Sequence, residues 1–462
     1  MELYMSSLVY LKNLLDDNIM QMSEQHRSAV IECVGQITRL ISCLRSLAKE
    51  WQLYVDTKEQ QADLVRYHAS IQQSGRGRPR FLVAKEQLEY LHSLGFTWTD
   101  VAHLIGVSRM TVYRRREEYG MLDEPITVIS DSELRQKVLQ IKTTLPEVGE
   151  SIVIGQLRSM GYKVTRWRVR EILRSTDPVN VTLRWPGGAT ARRQYSVPGP
   201  NSLWHVDGHH KLIRWKMVTH AGIDGYSRMV VYMNCSNNNK ASTVYTHFLK
   251  AVEKYGLPSR VRSDQGKENK RIAKHMLQHR GLERGSMLTG SSVHNQRIER
   301  LWKDMHQSVT KLFYRLFYYL EEMRLLDPSN DIHIYSLHYI YIPRVNRALT
   351  MFKDGWNKHG IRTEHASSPE QLFVAGALRL CNSGTIALDF FEHIQTDSYG
   401  IDEEGLALDE DPDAVVIPEN TFVLTDEQYQ QLQQNVNPLI ESDNHGIELY
   451  EQTIQFIVTN CL

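Results

Sequence analysis

Apolar residues fall at Val30, Val34, Ile37, Ile41, Leu44, Ala48, Trp51 and Val55, in alternating steps of four and three. That spacing predicts an amphipathic helix with a heptad seam. Three uses fit the seam: a coiled coil between two copies of the chain, packing on the apolar stretch around Leu8, Leu11, Leu15 and Ile19, or burial within its own domain. Farther along, Leu88 and Leu91 mark a short helix, and Val101, Leu104 and Ile105 a second, opened by the capping box Thr97-Trp-Thr-Asp100. A third runs from Met110 to Arg116 behind Ser108 as its cap. With Gly106-Val-Ser108 as the turn, residues 81–120 read as a helix-turn-helix. A second helical set follows: Leu134, Val138 and Ile141, then Ile154 and Leu157, then a helix from Thr165 through Arg174. From Lys216 the period changes. Lys216 to Asp224 and Arg228 to Cys235 alternate as strands, joined by Asp224-Gly-Tyr-Ser227, so Asp224 reads as a turn residue. Ala241 to Tyr255 is helical again and stops at Gly256-Leu-Pro258.

A chain of 462 residues is too long for one core. Five regions are expected: 1–70, helical and suited to self-association; 71–125, a basic linker and the helix-turn-helix; 126–180, a second helical DNA-binding element; 195–380, an α/β core; and 381–462, an acidic C-terminal region. The content, 41% hydrophobic and 23% charged, is that of an ordinary globular protein. No apolar run has the length of a membrane span, and Met-Glu-Leu-Tyr lacks the basic start of a secretory signal, so an intracellular protein with no membrane partner is expected. The five cysteines are scattered without a Cys-x-x-Cys pair, which argues against a disulfide framework or a zinc finger.

Charge changes the picture more. The formal net charge of zero conceals an asymmetry: no Lys or Arg follows Cys381, while 17 acids do, so the preceding residues carry 54 cations against 37 acids. A basic body of this kind fits a polyanion, and DNA is the expected partner, with a nuclear location. In Ser74-Gly-Arg76-Gly-Arg78-Pro-Arg80 an arginine pair suited to a narrow minor groove sits in a segment that cannot continue a helix, resembling an AT-hook. In the third helix Arg109 and Thr111 are placed to face base edges, while Arg114 and Arg115 are placed to meet phosphates. Arg166, Arg170 and Arg174 recur every four residues along one side of the later helix. The acidic end, with Asp402-Glu-Glu404 and Asp409-Glu-Asp411, reads as a partly disordered tail with short strands at Ala414–Ile417 and Phe422–Leu424. It is suited to mimicking DNA, or to contacting a protein partner or the chain itself.

The candidate chemistry lies between Ser202 and Asp304. Ser202-Leu-Trp-His-Val-Asp207 and Arg260-Val-Arg-Ser-Asp264-Gln-Gly each read as a strand ending in an aspartate, and His294-Asn-Gln-Arg-Ile-Glu299-Arg-Leu-Trp302 as a helix carrying a glutamate. Three convergent carboxylates without a compensating cation are costly, and hard oxygen ligands suit Mg2+ or Mn2+. Two ions roughly 4 Å apart serve in-line phosphoryl displacement. His205, His209 and His210 offer a rival zinc site, which strand alternation was expected to disperse.

These motifs, with 56 residues between the aspartates and 34 between Asp264 and Glu299, resemble the DDE integrase and transposase superfamily, especially the retroviral-like integrase cores of animal genomes. The resemblance covers about 195–375. It implies a ribonuclease H-like core preceded by all-α helix-turn-helix-type domains, catalysis by Asp207, Asp264 and Glu299 with two metal ions, and a multimer acting on DNA ends. Gln296, Arg300 and Lys303 are then placed to position the DNA backbone. The zinc domain that precedes many such cores is not visible. Three functions remain open: end processing with strand transfer, a nuclease that cuts without joining, and a domesticated DNA-binding regulator with an inactive core.

Overall fold

The computed structural model describes residues 12, 27, 30–39, 41, 68–72, 80–121, 127–176, 197–264, 266–281, 285–290, 295–383, 417–418 and 420–461. The chain divides into two compact units, Met1–Tyr67 and His68–Leu462. In the first, residues 30–39 are helical, with Ile37 and Ile41 buried and Glu32, Cys33 and Gln36 exposed. The seam positions that are described are therefore the covered ones. Leu44 to Val55 lie outside the described residues.

The second unit opens with β1 (Ser70–Gln72) and β2 (Arg80–Leu82), which pair antiparallel on either side of the basic segment. This pairing was not expected, because the strands have only three residues each. Arg76 and Arg78 lie outside the described residues. Helices α1 (Lys85–Ser93), α2 (Trp98–Ile105) and α3 (Arg109–Glu118) form the expected trihelical set. Thr97 and Asp100 close their capping box at the head of α2, and the Ser108 hydroxyl accepts from the Thr111 amide at the head of α3. Leu88, Leu91, Val101, Ile105 and Val112 are buried in its centre.

Next come α4 (Asp131–Thr144), α5 (Glu150–Ser159) and α6 (Arg166–Thr176). Helix α5 crosses the long α11 (Asp331–Lys358) where two glycines meet. A Cβ on Gly155 would stand 2.0 Å from the Gly355 carbonyl oxygen, so only glycine permits this approach.

The α/β core is built on β3 (Leu203–His209), β4 (Val218–Asp224), β5 (Val230–Ser236), β6 (Arg260–Ser263) and β7 (Met287–Thr289), in the order β5-β4-β3-β6-β7. The first three strands form an antiparallel meander, and β6 and β7 join β3 in parallel. This is the expected ribonuclease H-like architecture. Helices α7 (Ala241–Tyr255) and α8 (Lys270–Arg280) cover one face, where Trp204, Val206, Phe248 and Met276 are buried together. The other face carries α9 (Gln296–Met305), which passes through a wide π-turn at His306–Thr310 into α10 (Lys311–Glu322), and then α11. Edge strand β5 is closed by amides of α11. Asn346 bonds both backbone groups of Cys235, and Asn357 both of Val230. Asp224 is a turn residue as expected, its carboxylate accepting from Ser227 and from the Asn201 amide.

After α12 (Pro369–Ser383), the acidic region departs from expectation. Residues 420–461 fold onto α11 through α13 (Asp426–Asn435) and α14 (Ile447–Asn460). Leu432, Val436, Leu449, Tyr450 and Ile457 are buried in the same core as the sheet. A period of four along α14, at Leu449, Thr453 and Ile457, outweighs the acidic composition. Phe422–Leu424 is not a strand, and Ala414–Val416 and both acidic clusters lie outside the described residues. Among the described residues no helix is long and apolar enough to cross a membrane.

Candidate functional site

The register of the parallel pair decides where the aspartates stand. Trp204 lies opposite Val261 and His205 opposite Arg262. Continued two residues past the last pair, the same offset would set Asp264, just beyond the end of β6, beside Asp207; β3 itself runs on to His209, so Asp207 lies within its strand and not, as expected, at its end. Glu299 lies within electrostatic reach of Asp207 on α9, whose start is pinned to β3 by the buried Asn295. That amide donates to the Val206 carbonyl (3.0 Å) and its oxygen lies 2.8 Å from His205 Nδ1.

Each aspartate has a fixed donor. Trp302 Nε1 donates to Asp207 Oδ2 at 2.8 Å, and Asn269 Nδ2 to Asp264 Oδ1 at 3.1 Å. Asp207 is raised well above the ordinary carboxylate range, first by burial and then by the negative charges of Asp264 and Glu299; Trp302 and the Gly208 amide oppose the rise. The charge these residues share is the kind a divalent cation relieves, and their hard oxygens suit Mg2+ or Mn2+. Among the described residues no three His, Cys, Asp or Glu side chains are gathered tightly enough to hold a metal ion between them.

The histidines correct one expectation. His205, Asp207 and His209 share the face toward α9, since alternate strand residues point the same way, while Trp204 and Val206 pack on the other side. They still form no zinc set. His205 is engaged by Asn295, and burial lowers His205 and His209 to about 3 each, so both are neutral.

Four residues escaped the motif reading. Trp302, counted as apolar, uses its indole N–H on Asp207, and Asn295 pins α9. Asn269 and the buried Glu268 follow Asp264 closely, and Asn269 Nδ2 also reaches Glu268 Oε1 at 3.3 Å. Burial and Asp264 raise Glu268 above its ordinary value. The run Asp264-Gln-Gly-Lys-Glu-Asn269 carried a signal that was available: two further polar groups within one turn of the second aspartate.

The expected DNA-facing residues divide. On α3, Arg109, Met110, Tyr113 and Arg114 are exposed, whereas Arg115 turns inward to the Phe81 carbonyl (2.9 Å) and Glu118. The Thr111 hydroxyl lies 2.9 Å from Ser108 Oγ in the helix cap. On α6, Arg166 and Arg170 share Glu150, and Arg174 pairs with Glu171 at 3.0 Å. On α9, Lys303 and Arg300 are exposed, Arg300 lying 3.3 Å from Asp304, and Gln296 is half-buried.

Residues 194–387 match the family model of the integrase core domain. The chain carries a DDE integrase-like core. The match takes in the sheet, the three carboxylates and α12. The integrase core is similar to the HTLV-2 integrase catalytic core domain, solved in complex with magnesium in a trimeric form, at 18% identity and a TM-score of 0.26, over 38% of this chain and 97% of that one. It is similar also to the simian T-cell lymphotropic virus intasome in complex with PP2A regulatory subunit B56 gamma, at 14% identity and a TM-score of 0.29, over 51% and 72% of the two chains. No curated protein sequence matches the chain.

Proposed function

We propose that this protein is a DNA recombinase of the nucleus that processes DNA ends and transfers strands, acting as a homo-oligomer. The observation that carries the reading is the parallel pairing of β3 with β6, the strand that leads into Asp264, together with the electrostatic reach of Asp264 and Glu299 to Asp207. Asp207, Asp264 and Glu299 would hold two Mg2+ or Mn2+ ions. When bound, such ions neutralise charge on the phosphate and favour attack by an oxygen nucleophile, first water and then a DNA 3′-hydroxyl. Trp302 and Asn269 orient the aspartates. Arg300, Lys303 and Gln296 position the DNA backbone along α9, and the exposed face of α3 reads a groove through Arg109 and Arg114, with Thr111 beside them. Arg166, Arg170 and Arg174 are placed to add phosphate contacts, Glu150 restraining the first two. Arg76 and Arg78, in the sequence between β1 and β2, suit a minor groove.

The test is a strand-transfer assay in Mn2+ with the full chain and Asp264→Asn. Joined product from the wild type alone supports the reading. Product limited to cut ends would reduce the protein to a nuclease. Equal inactivity with retained DNA binding would leave a DNA-binding regulator on an integrase fold.

A further inference from the structure

A groove of about 1350 Å3 runs beside the carboxylate site, between the loop joining β5 to α7, the middle of α11 and the C-terminal segment. It exceeds the roughly 300–1,000 Å3 of a pocket for one small ligand, so it suits a length of polymer. One end is formed by Lys267 and Glu268. Asn269 ties Glu268 to Asp264, so the groove and the carboxylate site share a wall. Lys240 stands exposed near that end, and among the described residues Lys240 and Lys267 are the Lys or Arg side chains that line the groove.

Among the described residues, those that the C-terminal segment lends to the opposite wall, from Ile417 to Leu439, are uncharged. In place of charge it brings rings and amides. Phe422 meets Tyr335 of α11 edge-on at 5.3 Å, and Tyr429 meets Tyr339 at 6.1 Å. Tyr429 and Val423 remain 40% and 77% exposed. A lining of aromatic faces and amides with cations at one end fits nucleobases on a phosphate backbone, and only an unpaired strand offers its base faces.

We propose that this groove binds an unpaired DNA strand, with bases stacked on Tyr429 and Tyr335 and phosphates met by Lys240 and Lys267. The naming of DNA rests on the function proposed above, and the groove adds the form of DNA: a single-stranded stretch leading to or from the carboxylates. Its wall shared with Asp264 favours this occupant over a proline-rich peptide, which aromatic grooves also accept.

The experiment is fluorescence anisotropy with the full chain, without divalent ions. The probes are a labelled oligo-dT of about 15 nucleotides, within the usual site sizes of roughly 4–16, a duplex of equal length and a proline-rich peptide. Tyr429→Ala is expected to weaken oligo-dT binding by between about five- and about a hundred-fold, the range for loss of one stacking ring, with duplex binding unchanged. Val423→Glu should weaken oligo-dT binding and Val423→Lys strengthen it, at a position too exposed to disturb folding. Oligo-dT binding indifferent to both charge variants would overturn the proposal, as would a peptide that binds in a Tyr429-dependent manner where oligo-dT does not. No cleavage is read, so an inactive protein that passes leaves this site standing, and an active protein that fails loses the groove alone.

Discussion

Replacing Gly155 with alanine probes how the second helical element is joined to the core. The new Cβ would meet the Gly355 carbonyl oxygen at 2.0 Å, the His359 nitrogen at 2.9 Å and the Gly355 carbonyl carbon at 3.0 Å. Unstrained contact needs roughly 3.5 Å. All three atoms are main chain, so no rotamer relieves the clash, and α5 and α11 must part by on the order of 1 Å. Overpacking of this kind costs about 1–3 kcal/mol. Alanine recovers up to about 1 kcal/mol through its helix propensity. The net loss expected is about 1–2 kcal/mol, or a melting temperature lower by about 2–8 °C, since 1 kcal/mol moves a domain of 150–250 residues by about 2–4 °C. Gly355→Ala should be milder, because its Cβ would meet Ile152 and Gln156 at 3.1–3.3 Å, partly through side-chain atoms that can move. Thermal unfolding followed by circular dichroism measures both. A Gly155→Ala protein that melts no lower than wild type, or lower stability for Gly355→Ala, would refute the close crossing.

Two further outcomes follow from the carboxylates. Trp302→Phe keeps the buried ring and removes the donor to Asp207 Oδ2; a Mn2+ titration of strand transfer should show metal affinity or activity down by about 10- to 100-fold, as for other supports of ligating groups, and unaltered titrations would show the indole bond to be incidental. Asp207 is raised in the folded state, so in metal-free protein its contribution is present below the unfolded value of about 3.9 and is lost as pH rises toward the folded one. Asp207→Asn should therefore gain in melting temperature over wild type as pH goes from acid to neutral in EDTA, and a difference constant with pH would contradict the electrostatic picture.

The elements that local chemistry dictates were legible before the fold. Thr97, Asp100 and Ser108 cap as their types require, α7 stops at Gly256 in a positive-φ conformation, and Asp224 closes its turn. Spacing found the three carboxylates through their neighbours in sequence, although Asp207 lies within β3 and not at its end as expected. Periodicity cannot say how an amphipathic ring is used: Trp302 counted as apolar, yet its N–H is the donor that holds Asp207. The pairing of Arg166 and Arg170 with Glu150 was not legible, because Glu150 stands 16 and 20 residues away in the chain and meets them only through the fold. Composition hid the C-terminal segment. For residues 420–461 acidic composition was a poor guide, since Leu432, Tyr450 and Ile457 pack them into the core.

The way that segment is attached has an evolutionary corollary. Tyr339, Arg344 and Arg347 of α11 hold it through the main-chain carbonyls of Val436, Ile440 and Leu439. Carbonyls are common to every residue type, so the anchorage survives almost any exchange of the surface side chains beside it. Selection can thus rewrite the negative exterior of this lobe, adding or removing acids to suit a new partner, without loosening it from the core.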